Sequence, residues 1–377
     1  MHYQNIILHL SLISGIGPSV IIKIVALIGL ENIETIYQFS VTDFIKLGLS
    51  EKKAEELVSG LADKKLLENE LKLIQDNKVT IVTLWCKRYS RLLSEIHIPP
   101  VILYCQGNID LLSKEKMIAC VGARKARIYA RDTIKHILTP LLLDDWVVVS
   151  GGAAGADTYA HQTALELNAA TIVVVGSGLC YQYPPENKPL FEKVLSQNGL
   201  IVSSFAMNVR PDTTTFPARN RIISGLSLGC LVVQAASKSG ALITAQQALE
   251  QSREVFAVPG SIFEPLSDGC HDLIHDGAKI TRSAQDILDE FQQFKLASDF
   301  HEKNNDIQLK IHSDKAKRFN SQDPLEQAIL GLLITPRSAD QLLTQMDVEL
   351  DVLQSLLFSL TLEGLIFQDS MGFWSLK

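Results

Sequence analysis

Residues 216–260 read FPARNRIISGLSLGCLVVQAASKSGALITAQQALEQSREVFAVPG, and this stretch decides the fold. Leu231, Val232 and Val233 form a short apolar run suited to the centre of a parallel sheet. Ser237-Lys238-Ser239-Gly240 follows where a helix should begin, and 255–258 supplies another strand. That order invites an anion: glycine lets the backbone approach a ligand closely, the first-turn N–H groups point outward, and Lys238 adds a full charge beside them. Just upstream, Arg219 and Arg221 flank Asn220 and offer planar donor forks that match phosphate oxygens. The same parts occur in α/β proteins that bind nothing there, so a ligand is indicated only where such loops recur along one sheet edge.

The pattern does repeat. Apolar runs at 118–121, 146–149, 171–175, 200–202, 230–233 and 255–258 alternate with helical stretches, which calls for a mostly parallel, doubly wound sheet covered on both faces. Ligands of such sheets sit at the carboxyl ends of the strands. There the sequence places Gly122, Arg124 and Lys125, then Ser150-Gly151-Gly152-Ala153-Ala154-Gly155-Ala156-Asp157, then Gly176-Ser177-Gly178. Several glycine turns along one edge make a concave rim that suits a polymer's backbone better than one small phosphate. The loops spell neither GxGxxG nor GxxxxGK[ST], which argues against a dinucleotide enzyme and an ordinary P-loop ATPase. Asp157 would repel phosphate at the rim and is expected to accept hydrogen bonds from loop amides or favour the first turn of its helix.

The chain of 377 residues carries a formal net charge of −7, which argues against indiscriminate coating of nucleic acid but leaves room for a local basic groove. Its six cysteines lie without a CxxC pair and read as buried thiols of a reducing compartment. No leader pattern or membrane span is legible, so a cytoplasmic protein with no membrane partner is expected. Catalytic signals are thin. His161 follows Asp157 by one helical turn, His271 and His275 are spaced i,i+4, and Ser239 adjoins Lys238, but none has the partners that a nucleophile or metal needs. Neither a catalytic residue nor a metal site nor a cofactor is assigned.

Residues 1–62 read as a helical module, either helix-hairpin-helix or sterile-alpha-motif-like, with two short turns, one entering at Pro18 and one capped by Ser50. Residues 63–294 hold the sheet, 295–322 read as a polar linker, and 323–377 as three helices and a hairpin in winged-helix order. The last helix carries Glu349, Asp351 and Glu363 with no lysine or arginine, a poor surface for a DNA groove.

Phe216-Pro217-x-Arg219-Asn220-Arg221, Lys238-Ser239-Gly240-x-Leu242-Ile243-Thr244 and Arg253 to Gly260 together resemble the DNA-processing protein A family. Ser150-Gly151-x-Ala153-x-Gly155-x-Asp157, Gly176-Ser177-Gly178-Leu179 with Tyr183-Pro184, and Gly269-x-x-x-Leu273-Ile274-x-x-Gly277-Ala278 extend the match over most of 100–290. The resemblance implies an extended Rossmann-like fold that dimerises through that domain, binds single-stranded DNA and loads the RecA recombinase onto it during natural transformation, with no catalysis. It puts phosphate contacts on Arg124 and on Lys238 to Gly240, with Arg219 and Arg221 as neighbours. This chain departs from the family pattern at Arg127, Ala130, Phe205, Gln234 and His271. The candidate DNA-binding set is Gly122, Arg124, Lys125, Ser150, Gly152, Gly176, Arg219, Asn220, Arg221, Lys238, Ser239, Gly240 and Thr244. The alternative is a Rossmann-type hydrolase of nucleoside monophosphates, whose PGGxGTxxE-like loop and catalytic glutamate are missing from 239–247.

Overall fold

The computed structural model describes residues 3–291 and, in the C-terminal region, 324–333, 350–368 and 374–376 with scattered positions between them. It divides into two compact units, Met1–Leu288 and Asp289–Lys377. The first unit is built on a nine-stranded sheet ordered β1-β2-β6-β5-β4-β3-β7-β8-β9. Its strands are β1 (Thr80–Thr83), β2 (Ile102–Gly107), β3 (Met117–Gly122), β4 (Val147–Ser150), β5 (Thr171–Val174), β6 (Leu200–Ser203), β7 (Gly229–Val233), β8 (Glu254–Ala257) and β9 (Lys279–Ile280). From β6 to β9 all neighbours are parallel, while β1 and β2 run antiparallel at one edge. Strands β4 to β7 are buried along their whole length, as parallel strands covered on both faces must be. The doubly wound, mostly parallel class expected from the apolar runs is thus what forms. Strand β9 escaped the sequence reading, being two residues long and carrying a half-exposed Ile280.

Helices α1 (Tyr3–Leu12), α2 (Pro18–Ile28), α3 (Val41–Lys46), α4 (Glu51–Ala62) and α5 (Lys64–Asp76) make the helical N-terminal region. Pro18 takes the first position of α2, and Ser50 sits at the N-cap of α4 without a side-chain bond. Their core of Ile6, Ile21, Ile24, Phe44 and Leu57 runs on into Val79, Val101, Ile102, Tyr104 and Met207, so helices and sheet edge share one apolar cluster. Glu70 of α5 is buried at this seam, where its carboxylate accepts the Met207 N–H at 2.8 Å. Around the sheet lie α6 (Arg91–Ser94), α7 (Ile128–Leu143), α8 (Ala156–Glu166), α9 (Lys188–Ser196), α10 (Thr215–Leu226), α11 (Gly240–Glu250), α12 (Asp268–His275) and α13 over 284–291.

In the second unit, α14 (Pro324–Leu332) and α15 (Leu350–Leu362) precede an antiparallel pair, β10 (Ile366–Gln368) and β11 (Trp374–Leu376). Ile329, Leu333, Leu353, Leu357 and Ile366 form its core. The expected linker 295–322, Glu349 and most of the second of the three expected helices, which the sequence puts at 338–345, lie outside the described residues.

The Glu70 contact gives a direct test of the seam between helices and sheet. Glu70→Ala would leave a buried backbone N–H without its acceptor, which costs about 1–3 kcal/mol. Urea unfolding of the full chain should show that loss, and an unchanged midpoint would mean that the seam is held by apolar packing alone.

Candidate nucleic-acid interface

The chain winds outward from β3 through β4, β5 and β6, then returns to lay β7 against the other side of β3. Ligands of open α/β sheets sit where the winding reverses. A cleft of about 470 Å³ opens at this point, lined by Gly122 at the end of β3, Ala153 and Asp157 after β4, one face of α10, and the first turn of α11 after β7. A smaller hollow of about 140 Å³ adjoins it, lined by Gly176, Tyr183 and Pro184 and sharing Arg124, Ala153, Phe216 and Arg219 with the larger one.

The turn after β3 is set by backbone contact. A Cβ on Gly122 would lie 2.1 Å from the Val233 carbonyl oxygen, so only glycine permits β3 and β7 to close at this end. Gln234, with φ of 58°, then holds both ends of the turn: its carbonyl accepts from Ala123 N at 2.7 Å and its Oε1 accepts from Arg127 N at 3.0 Å. An amide oxygen does here what a carboxylate could do, without the negative charge. Arg124 stands exposed at the crest of this turn, its guanidinium carbon 5.5 Å from the centroid of the Phe216 ring. Phe216 in turn lies 5.6 Å from Tyr183. Across the cleft, Ser239 caps α11 by accepting from Ala241 N at 3.2 Å, and Gly240 leaves open space before the helix's first amides. Lys238 is exposed in the turn just ahead of that cap. Among the described residues, Arg124, Lys125 and Lys238 have no ion-pairing carboxylate, whereas Arg127 is tied to Glu264 at 3.0 Å.

The structure therefore gathers Gly122, Arg124, Arg219, Asn220, Ser239, Gly240 and Thr244 around the cleft and Gly176 around the adjoining hollow. Five others from the sequence reading stand apart from both linings. Lys125 and Lys238 are exposed close by. Ser150 is buried and donates to the Cys120 carbonyl at 2.6 Å, and Gly152 is buried with its carbonyl accepting from Asn187 Nδ2 at 2.8 Å. Arg221 projects from another flank of α10, where it donates to the His97 and Ile98 carbonyls and lines a separate cavity beside α1 and α2. Residues two apart on a helix do not share a face, which is why Arg219 and Arg221 part company. Arg219 itself is 6% exposed and donates from Nη1 to the Gly151 carbonyl at 2.6 Å and to the Val174 carbonyl. It is a buried strut beneath the cleft rather than an open fork.

Asp157 behaves as its sequence position implies, its Oδ2 accepting from Gly151 N at 3.1 Å and Ala153 N at 3.3 Å. His161 is a structural histidine. Its Nδ1 lies 2.7 Å from Thr171 Oγ1, and because that hydroxyl donates to the Val148 carbonyl, Nδ1 carries the proton. His271 pairs through Nε2 with the Gly260 carbonyl at 3.1 Å, whereas its i,i+4 neighbour His275 is exposed beside Asp276. No group of three His, Cys, Asp or Glu among the described residues could hold a metal, and no described helix is long and apolar enough to cross a membrane. The sequence reading missed the aromatic wall of Phe216 and Tyr183. The signal was an aromatic beside an arginine-rich helix start, but only the fold brings Tyr183 to it.

A family model for DNA recombination-mediator protein A matches residues 80–292, which spans the sheet and every loop of the cleft. The chain belongs to this family. It is 39% identical over 227 residues to DNA processing protein DprA of Bacillus subtilis, covering 60% of this chain and 76% of that protein. DprA of Streptococcus pneumoniae is 44% identical over 200 residues, or 53% of this chain and 70% of that one. The solved S. pneumoniae DprA superposes with a TM-score of 0.67 at 34% identity, covering 76% of this chain and 97% of that one. DNA processing protein A from Helicobacter pylori, solved for its single-stranded DNA binding mode, matches with a TM-score of 0.52 at 28% identity over 58% of this chain and 98% of that chain.

Burial, and after it the Arg219 charge, lowers the His161 pKa to about 3. A base whose folded pKa is depressed leaves stability intact above the unfolded value and loses it as pH falls, because only the unfolded chain takes the proton. The loss runs from about pH 6.5 down to about 3, with a slope approaching 1.4 kcal/mol per pH unit. His161→Gln should flatten the fall in unfolding free energy between pH 6 and pH 4. Parallel curves for variant and wild type would contradict a neutral buried imidazole.

Proposed function

We propose that this protein is a single-stranded-DNA-binding recombination mediator that works without turnover, and that the cleft between the β3 turn and the start of α11 carries the strand. The observation that carries this reading is the pair of adjoining hollows, lined by Arg124, with Lys125 and Lys238 exposed close by, all three without an ion-pairing carboxylate among the described residues, and walled by Phe216 and Tyr183. Phosphates bind where fixed amides and free guanidinium groups converge, and bases stack on aromatic faces whatever their sequence. Two linked hollows fit a strand better than one mononucleotide. Membership of the family and the binding mode for which the H. pylori relative was solved support the same substrate.

The finer role is to hold incoming single strands and pass them to the RecA recombinase, as a homodimer joined through the sheet-bearing unit. The hydrolase alternative needs a free carboxylate near the sugar. The cleft lining offers only Asp157, and its Oδ2 is already spent on two loop amides. Release of free base from a nucleoside monophosphate by the pure protein would favour that alternative.

Binding of oligothymidylate at several salt concentrations tests the reading. Arg124→Ala should weaken binding to every single-stranded sequence alike and reduce the slope of log affinity against log salt by roughly 0.7, the share of one phosphate on a single strand. Lys238→Ala should do the same. Phe216→Ala should cost about 1–3 kcal/mol with its slope unchanged, since stacking releases no counterion. Wild-type affinity and slope in both cation variants would place the strand elsewhere.

A further inference from the structure

Gly151 is held from both sides. Its N–H donates to Asp157 Oδ2 at 3.1 Å, and its carbonyl accepts from Arg219 Nη1 at 2.6 Å. The same Nη1 reaches the Val174 carbonyl at the end of β5, and Arg219 Nε donates to Asn220 Oδ1 at 3.0 Å. A Cβ added to Gly151 would meet Arg219 Nη1 at 2.6 Å and Cζ at 2.7 Å, so the guanidinium fills the space that a side chain there would need. Both clamping side chains are buried, Arg219 at 6% and Asp157 at 7% exposure. One comes from α10 and the other from α8. The joint therefore ties the end of β5, the turn after β4 and α10 together beneath the two hollows, and α10 is the helix that presents Phe216.

We propose that Arg219 and Asp157 are positioning residues for strand binding, fixing the floor of the cleft through Gly151 rather than contacting DNA. This rests on the reading of the cleft as a single-strand site. Nη1 and Nε are committed to protein acceptors, and a side chain so deeply buried has little surface left for a phosphate. Lysine could keep the charge but not the planar fork that bridges two carbonyls while bracing Asn220. Burial lowers the Arg219 pKa to about 10 against the pull of Asp157, so it stays charged at neutral pH. Its charge and that of Arg124 repel one another, and an anion entering the cleft relieves that repulsion without touching Arg219.

The test uses the full chain as wild type, Arg219→Lys, Arg219→Gln and Asp157→Asn, with oligothymidylate affinity measured against salt and amide hydrogen exchange followed at 151–153. Asp157→Asn keeps the shape of the side chain and serves should Arg219→Lys fail to fold. The expected result is a loss of affinity on the order of tenfold, as when a supporting shell around a ligand site is broken. The salt slope should stay at its wild-type value, and exchange at 151–153 should quicken. A slope reduced by roughly 0.7 in Arg219→Gln, which removes the charge, would make Arg219 a direct phosphate contact and overturn the proposal. Unchanged affinity or unchanged exchange would overturn it too. If the wild-type chain itself fails to bind oligothymidylate, the functional reading falls and this role with it, whatever the exchange shows.

Discussion

The pairing of β3 with β7 is the constraint on which the rest depends. It joins the first strand of the doubly wound sheet to the strand that returns after the winding reverses, in register from Ile118 opposite Gly229 to Gly122 opposite Val233. At its carboxyl end the two backbones come so close that a methyl group on Gly122 would strike the Val233 carbonyl. That approach puts the Arg124 turn and the start of α11 on facing sides of one cleft. It also brings Gln234 under the turn, where its backbone and side chain hold it at both ends. Binding groups carried on such braced turns are ordered before a ligand arrives, so less freedom is lost on binding.

Charge is arranged locally against the balance of the whole. The chain has a formal net charge of −7, yet the cleft's single carboxylate is turned inward to loop amides and its rim cations are free of partners among the described residues. A long-range field from the whole molecule would repel DNA, whereas the exposed cations at and beside the cleft attract it. Affinity built this way should depend strongly on salt and weakly on sequence, which suits a protein that must hold any strand it meets.

Much of the fold was legible in the sequence because parallel strands buried on both faces leave continuous apolar runs, and each expected run from 118 to 258 became a strand. The loops after them were legible for the same reason. What the sequence hid was the direction of side chains. Arg219 and Arg221 look like twin forks in FPARNR, but one is buried under the cleft and the other braces the carbonyls of 97 and 98 on a different flank of α10. Ser150 and Gly152 lie in a correctly placed loop yet face the interior. Tyr183 joined the site only through the packing of its loop against Phe216, a contact between segments that no local pattern encodes.

The central claim is that a phosphate of the DNA backbone sits between Arg124 and the first amides of α11. A crystal structure of the full chain with a short oligothymidylate addresses it most directly. A phosphate is expected within hydrogen-bonding distance of the Arg124 guanidinium and of the backbone N–H groups of Ser239 and Gly240, with a base against the Phe216 ring. A strand bound along another surface, with the cleft empty of phosphate, would contradict it.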